Sequence, residues 1–311
     1  MTDRFINLFT DYGFKKIFGE EPNKDLLIDF LNQLFRGKEN IKDLTYLNNE
    51  RLGKNSRDRK AVFDLYCENE LGEKFIVEVQ RVEQQFFKDR SLYYATFAIQ
   101  EQAIRGKDWK YELKGVYTIG ILDFAFDNAN KSQFYHYVQL VETTTQKLFY
   151  DKLTFIYLEI PKFNKTLQEL DNDYERWLFA FKNLHKLADR PKELEAGIFK
   201  RLLELAEIPK MDQKEFAAYQ ESLKDYWDLK SSMDTYFDKG KIEGKIEGKI
   251  EGKIEGKIEG KIEGKIEGKI EMAIKMLQSH EPLEKILMYT ELPLEKIQEI
   301  KQDIESKSSN H

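Results

Sequence analysis

The run GVYTIGILDF (115–124) constrains this chain more than any other stretch. It is apolar on both faces, so as a strand it has no side that tolerates water. Such a strand sits at the centre of a sheet covered on two sides. Neighbouring segments can supply that cover. Residues 25–35 repeat apolar side chains at helical spacing (Leu27, Leu31, Leu34), which predicts a helix. Residues 61–67 and 75–80 read as two short strands joined by a polar turn that carries Gly72. Residues 84–105 read as a helix with Phe86, Tyr93, Phe97 and Ile104 on one stripe, and further strands fall at 134–141 and 153–160. The order helix, strand, strand, helix, strand implies an α/β sandwich.

Composition divides the chain into four regions: a core over 1–160, a helical extension over 161–239, a repeat over 240–271, and a helical hairpin tail over 272–311. The extension places Trp177, Phe181, Leu184 and Leu187 at spacings of three and four. The repeat is eight copies of Gly-Lys-Ile-Glu. As a helix it is locally poor. Glycine costs about 1 kcal/mol relative to alanine, and Lys falls four residues from Lys and Glu four from Glu. Its isoleucine stripe drifts by roughly 40° per copy, so a partner has to wrap around it. A helix stabilised by self-association is the favoured reading. An alternating strand and a solvated linker are the others.

Charge and cysteine content exclude several classes. The 311 residues carry a formal net charge of -6, so any contact with nucleic acid is local rather than spread over the surface. One cysteine, Cys67, leaves no internal disulfide and no thiolate zinc cluster. His136, His185, His280 and His311 are scattered without ligand spacing. No stretch approaches the roughly 20 apolar residues of a membrane span, and the first residues lack a secretory pattern. The expected location is cytoplasmic.

Two acids stand out in otherwise apolar strands. Asp64 falls in the first strand of the hairpin, and Glu78 with Gln80 in the second. Side chains two apart on a strand share a face, and adjacent strands bring side chains within about 5 Å. Buried unpaired carboxylates are costly. A hard divalent cation relieves that cost, since Mg²⁺ prefers carboxylates plus water. It also lowers the pKa of a bound water and stabilises charge on a phosphate.

An Asp, a hairpin, then Glu-x-Gln in place of Glu-x-Lys resembles the PD-(D/E)XK nuclease core. More narrowly, FTDYGFKKIFG (9–19), the pair VFDLYC and FIVEVQ, the FxxRSLYY helix (87–94) and VYTIGILDF resemble the Rpn family of recombination-promoting nucleases, often labelled transposases. The resemblance runs from about Asp3 to Tyr236. It implies a restriction-endonuclease-like α/β fold, a mixed sheet flanked by helices, followed by a helical subdomain and the repetitive C-terminal tail. It implies that Asp64 and Glu78 hold Mg²⁺ or Mn²⁺, and that Gln80 replaces the usual lysine without its charge. Phe63 stands where the proline of the motif's name would be. Glu50 is a further candidate for the metal, and Lys15 for a displaced cation near the phosphate. Lys15 and Asp11, four apart, also read as a helix ion pair. Arg90 is a candidate to point into the cleft and contact DNA, or else to snorkel or pair with Glu101 or Asp64. Arg51, Lys54, Arg57, Arg59 and Lys60 are candidates to grip DNA phosphates, the alternative being an exposed charged loop.

The resulting expectation is a metal-dependent DNA endonuclease with little sequence preference, linked to recombination, mobile elements or phage defence. Its partners would be DNA and a second copy, bound through the repeat or the core, with no membrane. The competing expectation is a catalytically degenerate assembly factor that binds DNA or protein and oligomerises through the tail.

Overall fold

The computed structural model describes residues 3–51, 61–103, 110–126, 130 and 132–308. The chain forms two units, Met1–Asp234 and Thr235–His311. The first is built on a six-stranded sheet. Numbered along the chain, its strands lie side by side in the order β1 (Leu44–Tyr46), β4 (Leu65–Asn69), β5 (Lys74–Gln80), β6 (Val116–Leu122), β8 (Lys147–Glu159) and β7 (Tyr135–Glu142). A separate ribbon pairs β2 (Glu50–Arg51) with β3 (Ala61–Val62). β6 runs parallel to both β5 and β8, and the outer pairings are antiparallel. All seven residues of β6 are buried, as its two-faced apolar pattern requires. This is a mixed sheet flanked by helices, the α/β class that the pattern implies.

Helix α3 (Phe87–Gln100) connects β5 to β6 and covers one sheet face, where Ile76, Leu122, Phe155 and Tyr157 are buried with Phe87. Its buried residues are Phe87, Ser91, Ala95 and Ala98. Small side chains on that face let the helix axis approach the sheet. The stripe expected through Phe86, Tyr93, Phe97 and Ile104 is therefore not the most buried one: Phe97 is half-buried against this face, and Ile104 lies outside the described residues. Phe86 caps the helix with φ of 68° and is 67 % exposed, while Tyr93 is 42 % exposed.

On the opposite face Phe75, Val77, Ile119, Ile121, Ile156 and Leu158 share one core with four helices. These are α1 (Asp11–Phe18), α2 (Lys24–Phe35), α4 (Asp173–Asn183) and α5 (Gly197–Ala206). An aromatic cluster of Phe18, Phe30, Trp177 and Phe181 lies at its centre, with Phe18 stacked on Phe181 at 5.7 Å. The Trp177 indole N–H donates to Asp29 Oδ2 at 2.7 Å, satisfying the one polar atom that the ring brings inside. The segment following Pro161 thus contributes to the same core as the sheet. Helix α6 (Gln213–Gln278) begins against it: Tyr226 Oη donates to Asp123 Oδ2 at 2.7 Å, and Lys230 Nζ lies 2.8 Å from the same oxygen.

The single strand expected over 61–67 is broken. β3 ends at Val62 and β4 starts at Leu65, with Phe63 and Asp64 between them. The Phe63 N–H donates to Asn49 O, so this stretch changes partners before β4 joins β5.

In the second unit, the end of α6, α7 (Leu283–Thr290) and α8 (Leu294–Ser308) bury Ala273, Ile286, Leu292, Ile297 and Ile300 together. The whole repeat lies within α6. Its isoleucines from Ile242 to Ile262 are each slightly more than half exposed. Among the described residues no helix is long and apolar enough to cross a membrane.

The N-terminal segment is tied to the turn after α5. Ile6 N–H donates to Ala206 O at 3.0 Å and Ile208 N–H to Arg4 O at 2.9 Å. Beside this pairing the buried Glu207 carboxylate gathers Arg190 (2.7 Å), Arg4 (2.9 Å) and Lys210 (2.9 Å). The Arg190 hydrogen bonds first, then Lys210 and Arg4, hold its pKa down to about 2. A depressed carboxyl stabilises the fold above its unfolded pKa, about 4.3, and that contribution disappears as pH falls through about 2. Glu207→Gln should therefore lower stability at neutral pH by about 2 kcal/mol. In urea titrations the gap to wild type should shrink steadily below about pH 4; a gap independent of pH would exclude this account.

Candidate active site

The β4–β5 ladder ends with Leu65 paired to Val77, so Asp64 stands one step beyond it, opposite Glu78. The two carboxylates are held by backbone. The Val79 N–H donates to Asp64 Oδ2 at 2.7 Å, and the Asp64 N–H donates to Glu78 Oε1 at 3.3 Å. Gln80, on the same strand face, donates from Nε2 to Glu78 Oε2 at 3.1 Å. Arg90 Nη2 lies 3.9 Å from that oxygen and makes the only ion pair at Glu78 among the described residues. Glu78 is 6 % exposed, and Asp64 is partly buried. Asp64, Glu78 and Gln80 are thus brought together.

A cavity of about 730 Å³ opens in front of Asp64. Asp11 and Lys15 of α1, Tyr66 of β4, Arg81 and Asp225 of α6 share its wall with Asp64. Helix α1 reaches this place because its termini are tightly fixed. Thr10 caps it by accepting from Gly13 N–H at 3.0 Å. At Gly13 a Cβ would come within 2.4 Å of Asn7 O, so only glycine fits. Phe14, Ile17 and Phe18 are buried, which leaves Asp11 and Lys15 outward. Lys15 Nζ pairs with Asp11 Oδ1 at 2.8 Å. Lys15 is therefore both a cavity residue and one half of a helix ion pair.

Burial acts on both acids. It raises the Asp64 pKa, helped by the Asp11 charge and opposed by the Val79 N–H, Lys15 and Arg81. Burial, then the Asp64 charge, pushes Glu78 up, against Arg90, the Asp64 N–H and the Gln80 amide. Two carboxyl groups side by side, with the Arg90 guanidinium no closer than 3.9 Å to Glu78, make a site short of positive charge. The cavity repeats that imbalance, with five carboxylates against three cations on its wall. Hard oxygen donors in this deficit fit a divalent cation that keeps several of its waters.

Glu50 does not join the pair. It lies exposed on β2 and does not line the cavity, and no group of three or more His, Cys, Asp or Glu suited to a metal occurs among the described residues. Lys54, Arg57, Arg59, Lys60 and the Arg51 side chain lie outside the described residues. Sequence reading missed Arg81, whose signal was only a basic residue directly after Glu-x-Gln. It also missed Asp225, which no local pattern links to a site 161 residues earlier.

The mixed sheet covered by helices is of the α/β class, and it carries a carboxylate pair toward the end of one strand. The chain belongs to the PD-(D/E)XK nuclease family transposases, whose family model matches residues 8–236. No curated protein and no solved structure matches it.

Asp64→Asn or Glu78→Gln removes one of two repelling buried charges. Each variant should melt at or slightly above the wild-type temperature in EDTA. Wild type should gain about 2–4 °C for each kcal/mol of Mg²⁺ or Mn²⁺ binding, and both variants should lose that gain. Metal-induced shifts that persist in both would place the ion elsewhere.

Proposed function

We propose that the chain is a divalent-metal-dependent DNA endonuclease with little sequence preference, serving recombination, mobile-element or phage-defence biology. The observation that carries this reading is the Asp64–Glu78 pair, with Asp64 on the wall of an acid-rich cavity, in a chain whose family is one of nucleases. Asp64 and Glu78 hold the ion, Mg²⁺ or Mn²⁺. When bound, it supplies an acidified water and positive charge at the scissile phosphate.

The chain's own residues do the positioning. The Val79 N–H fixes Asp64, and the Asp64 N–H together with the Gln80 amide fixes Glu78. Gln80 is neutral, so it orients water or a phosphate oxygen and adds no charge. Lys15 and Arg81 on the cavity wall offset part of the charge that a phosphate brings. With carboxylates in excess there, DNA enters only when the ion is present. Arg51, Lys54, Arg57, Arg59 and Lys60 grip the flanking backbone without reading sequence.

A dimer through the repeat or the core suits two cuts on opposite strands. The uncovered isoleucine row of α6 supports the repeat as the contact. One observation favours the alternative of a catalytically silent assembly factor: Gln80 stands where the motif has a lysine, and it is engaged by Glu78.

Plasmid nicking separates the two. Wild type should nick with Mg²⁺ or Mn²⁺ and not in EDTA. Asp64→Ala and Glu78→Ala should each lose about a hundredfold or more, with Lys15→Ala and Arg81→Ala losing less. Wild type that binds DNA yet nicks with neither metal would leave the assembly factor standing.

A further inference from the structure

A second cavity, of about 460 Å³, opens on the sheet face that carries Glu78. Strand register places it there. Glu78 pairs with Gly120, Gly120 with Tyr157, and Tyr157 with His136, giving one row across four strands. Residues in such a row project to the same face. Tyr157 and His136 line the cavity. Three inter-strand steps of about 4.8 Å set it roughly 14 Å from Glu78.

Its wall is aromatic. Phe155 and Tyr157 come from β8, and Phe126 stands edge-on to Tyr157 with ring centres 5.4 Å apart. One end is polar and firmly built. Glu159, 1 % exposed, lies 2.6 Å from His136 Nε2 and 2.7 Å from Lys162 Nζ. A carboxylate only accepts, so His136 presents an Nε2–H to it, and Nδ1 is the ring nitrogen left for another partner. The nearest donor to Nδ1 is Gln133 Nε2 at 3.5 Å, the outer limit of a hydrogen bond. Among the described residues of the wall Glu159 balances Lys162 and Lys88 is left over as positive charge, its Nζ 4.9 Å above the Phe126 ring.

We infer that this cavity receives the base of an unpaired nucleotide. The rings stack any base, since every base has a π face. His136 Nδ1 and the Gln133 amide meet the edge of the base, and Lys88 meets its phosphate. An acyl chain would leave His136 Nδ1 and the Gln133 amide unused, and a bare phosphate would leave the rings unused. The volume suits a small ligand of this class. The base comes from the substrate strand or from a free nucleotide. The strand as source rests on the nuclease reading, and it names the substrate: DNA with unpaired bases about four B-form steps from the cut. A duplex would first have to extrude a base.

Fluorescence of 2-aminopurine, which falls on stacking, tests this in EDTA so that no cleavage intervenes. The probes are 2-aminopurine deoxynucleoside monophosphate, a single-stranded oligonucleotide carrying the same base, and its fully paired duplex. Wild type should quench the single strand and not the duplex. Phe126→Leu should weaken that binding about tenfold with unchanged melting temperature. Lys88→Gln, on the surface and indifferent to folding, should weaken it in the same assay. Quenching of the monophosphate alone, with the same dependence on Phe126 and Lys88, would keep the pocket and assign it to a free nucleotide. Quenching of every probe unaltered by either substitution would overturn the inference. Quenching with Phe126 dependence in a protein that nicks no plasmid would retain the pocket and reject the nuclease; nicking that needs Asp64, beside quenching indifferent to Phe126, would do the reverse.

Discussion

Strand β6 accepts parallel partners on both edges and buries all seven of its residues, so cover must be found on both faces of the sheet before any site can exist. Parallel neighbours cannot be joined by a tight turn, and the β5-to-β6 connection has to cross a face. Helix α3 is that crossing. Cover on the other face comes from α1 and α2, which precede the sheet, and from α4 and α5, which follow it. The parallel pairs also bring the carboxyl ends of β5 and β8 to one side of the sheet, where open α/β sheets bind ligands. Glu78 and Gln80 close β5, and Tyr157 and Glu159 close β8.

Gly120 shows how tightly those ends are joined. It sits on the row between Glu78 and Tyr157, and a Cβ there would lie 2.9 Å from the Tyr157 ring and 3.2 Å from that of Phe87. The missing side chain lets the first turn of α3 descend onto the sheet beside Tyr157. That turn then presents Arg90 toward Glu78 and Lys88 toward Phe126. One helix thus supplies a cation to each place, the two only two residues apart. The buried acid pair is tolerable for the same reason: its charge is countered from α3 and capped by backbone N–H groups, short of full compensation.

Much of this was readable before any coordinates. The element order, the two-faced β6, the hairpin carrying Asp64 and Glu78, and the Glu78/Gln80 shared face all rest on period-two patterning, which is local. What failed was equally physical. Periodicity put Phe86, Tyr93 and Phe97 on one stripe of α3, of which Phe97 packs on the sheet, whereas close approach also buries the small Ser91, Ala95 and Ala98 beside Phe87. Hydropathy saw one strand over 61–67, since a change of hydrogen-bond partner at Phe63 leaves no trace in side-chain polarity. Arg81 and Asp225 reach the cavity only through tertiary packing, and the Glu159–His136 pair joins acids and bases 23 residues apart on different strands.

The repeat poses the opposite problem, because its helix has too little holding it locally. In Gly-Lys-Ile-Glu no residue finds an opposite charge three or four positions away; Lys meets Gly or Lys, and Glu meets Ile or Glu. Each glycine adds about 1 kcal/mol of disadvantage relative to alanine. Among the described residues nothing lies within 4 Å of a Cβ built on any of these glycines, so no packing there compensates. The favourable element is the isoleucine row, half exposed, and fully burying an isoleucine is worth about 1.5–3 kcal/mol. Completing that burial would offset each glycine, one copy at a time. Whatever covers the row therefore decides whether the repeat is a stiff helix, and the gain rises in step with copy number, as in other repeat architectures.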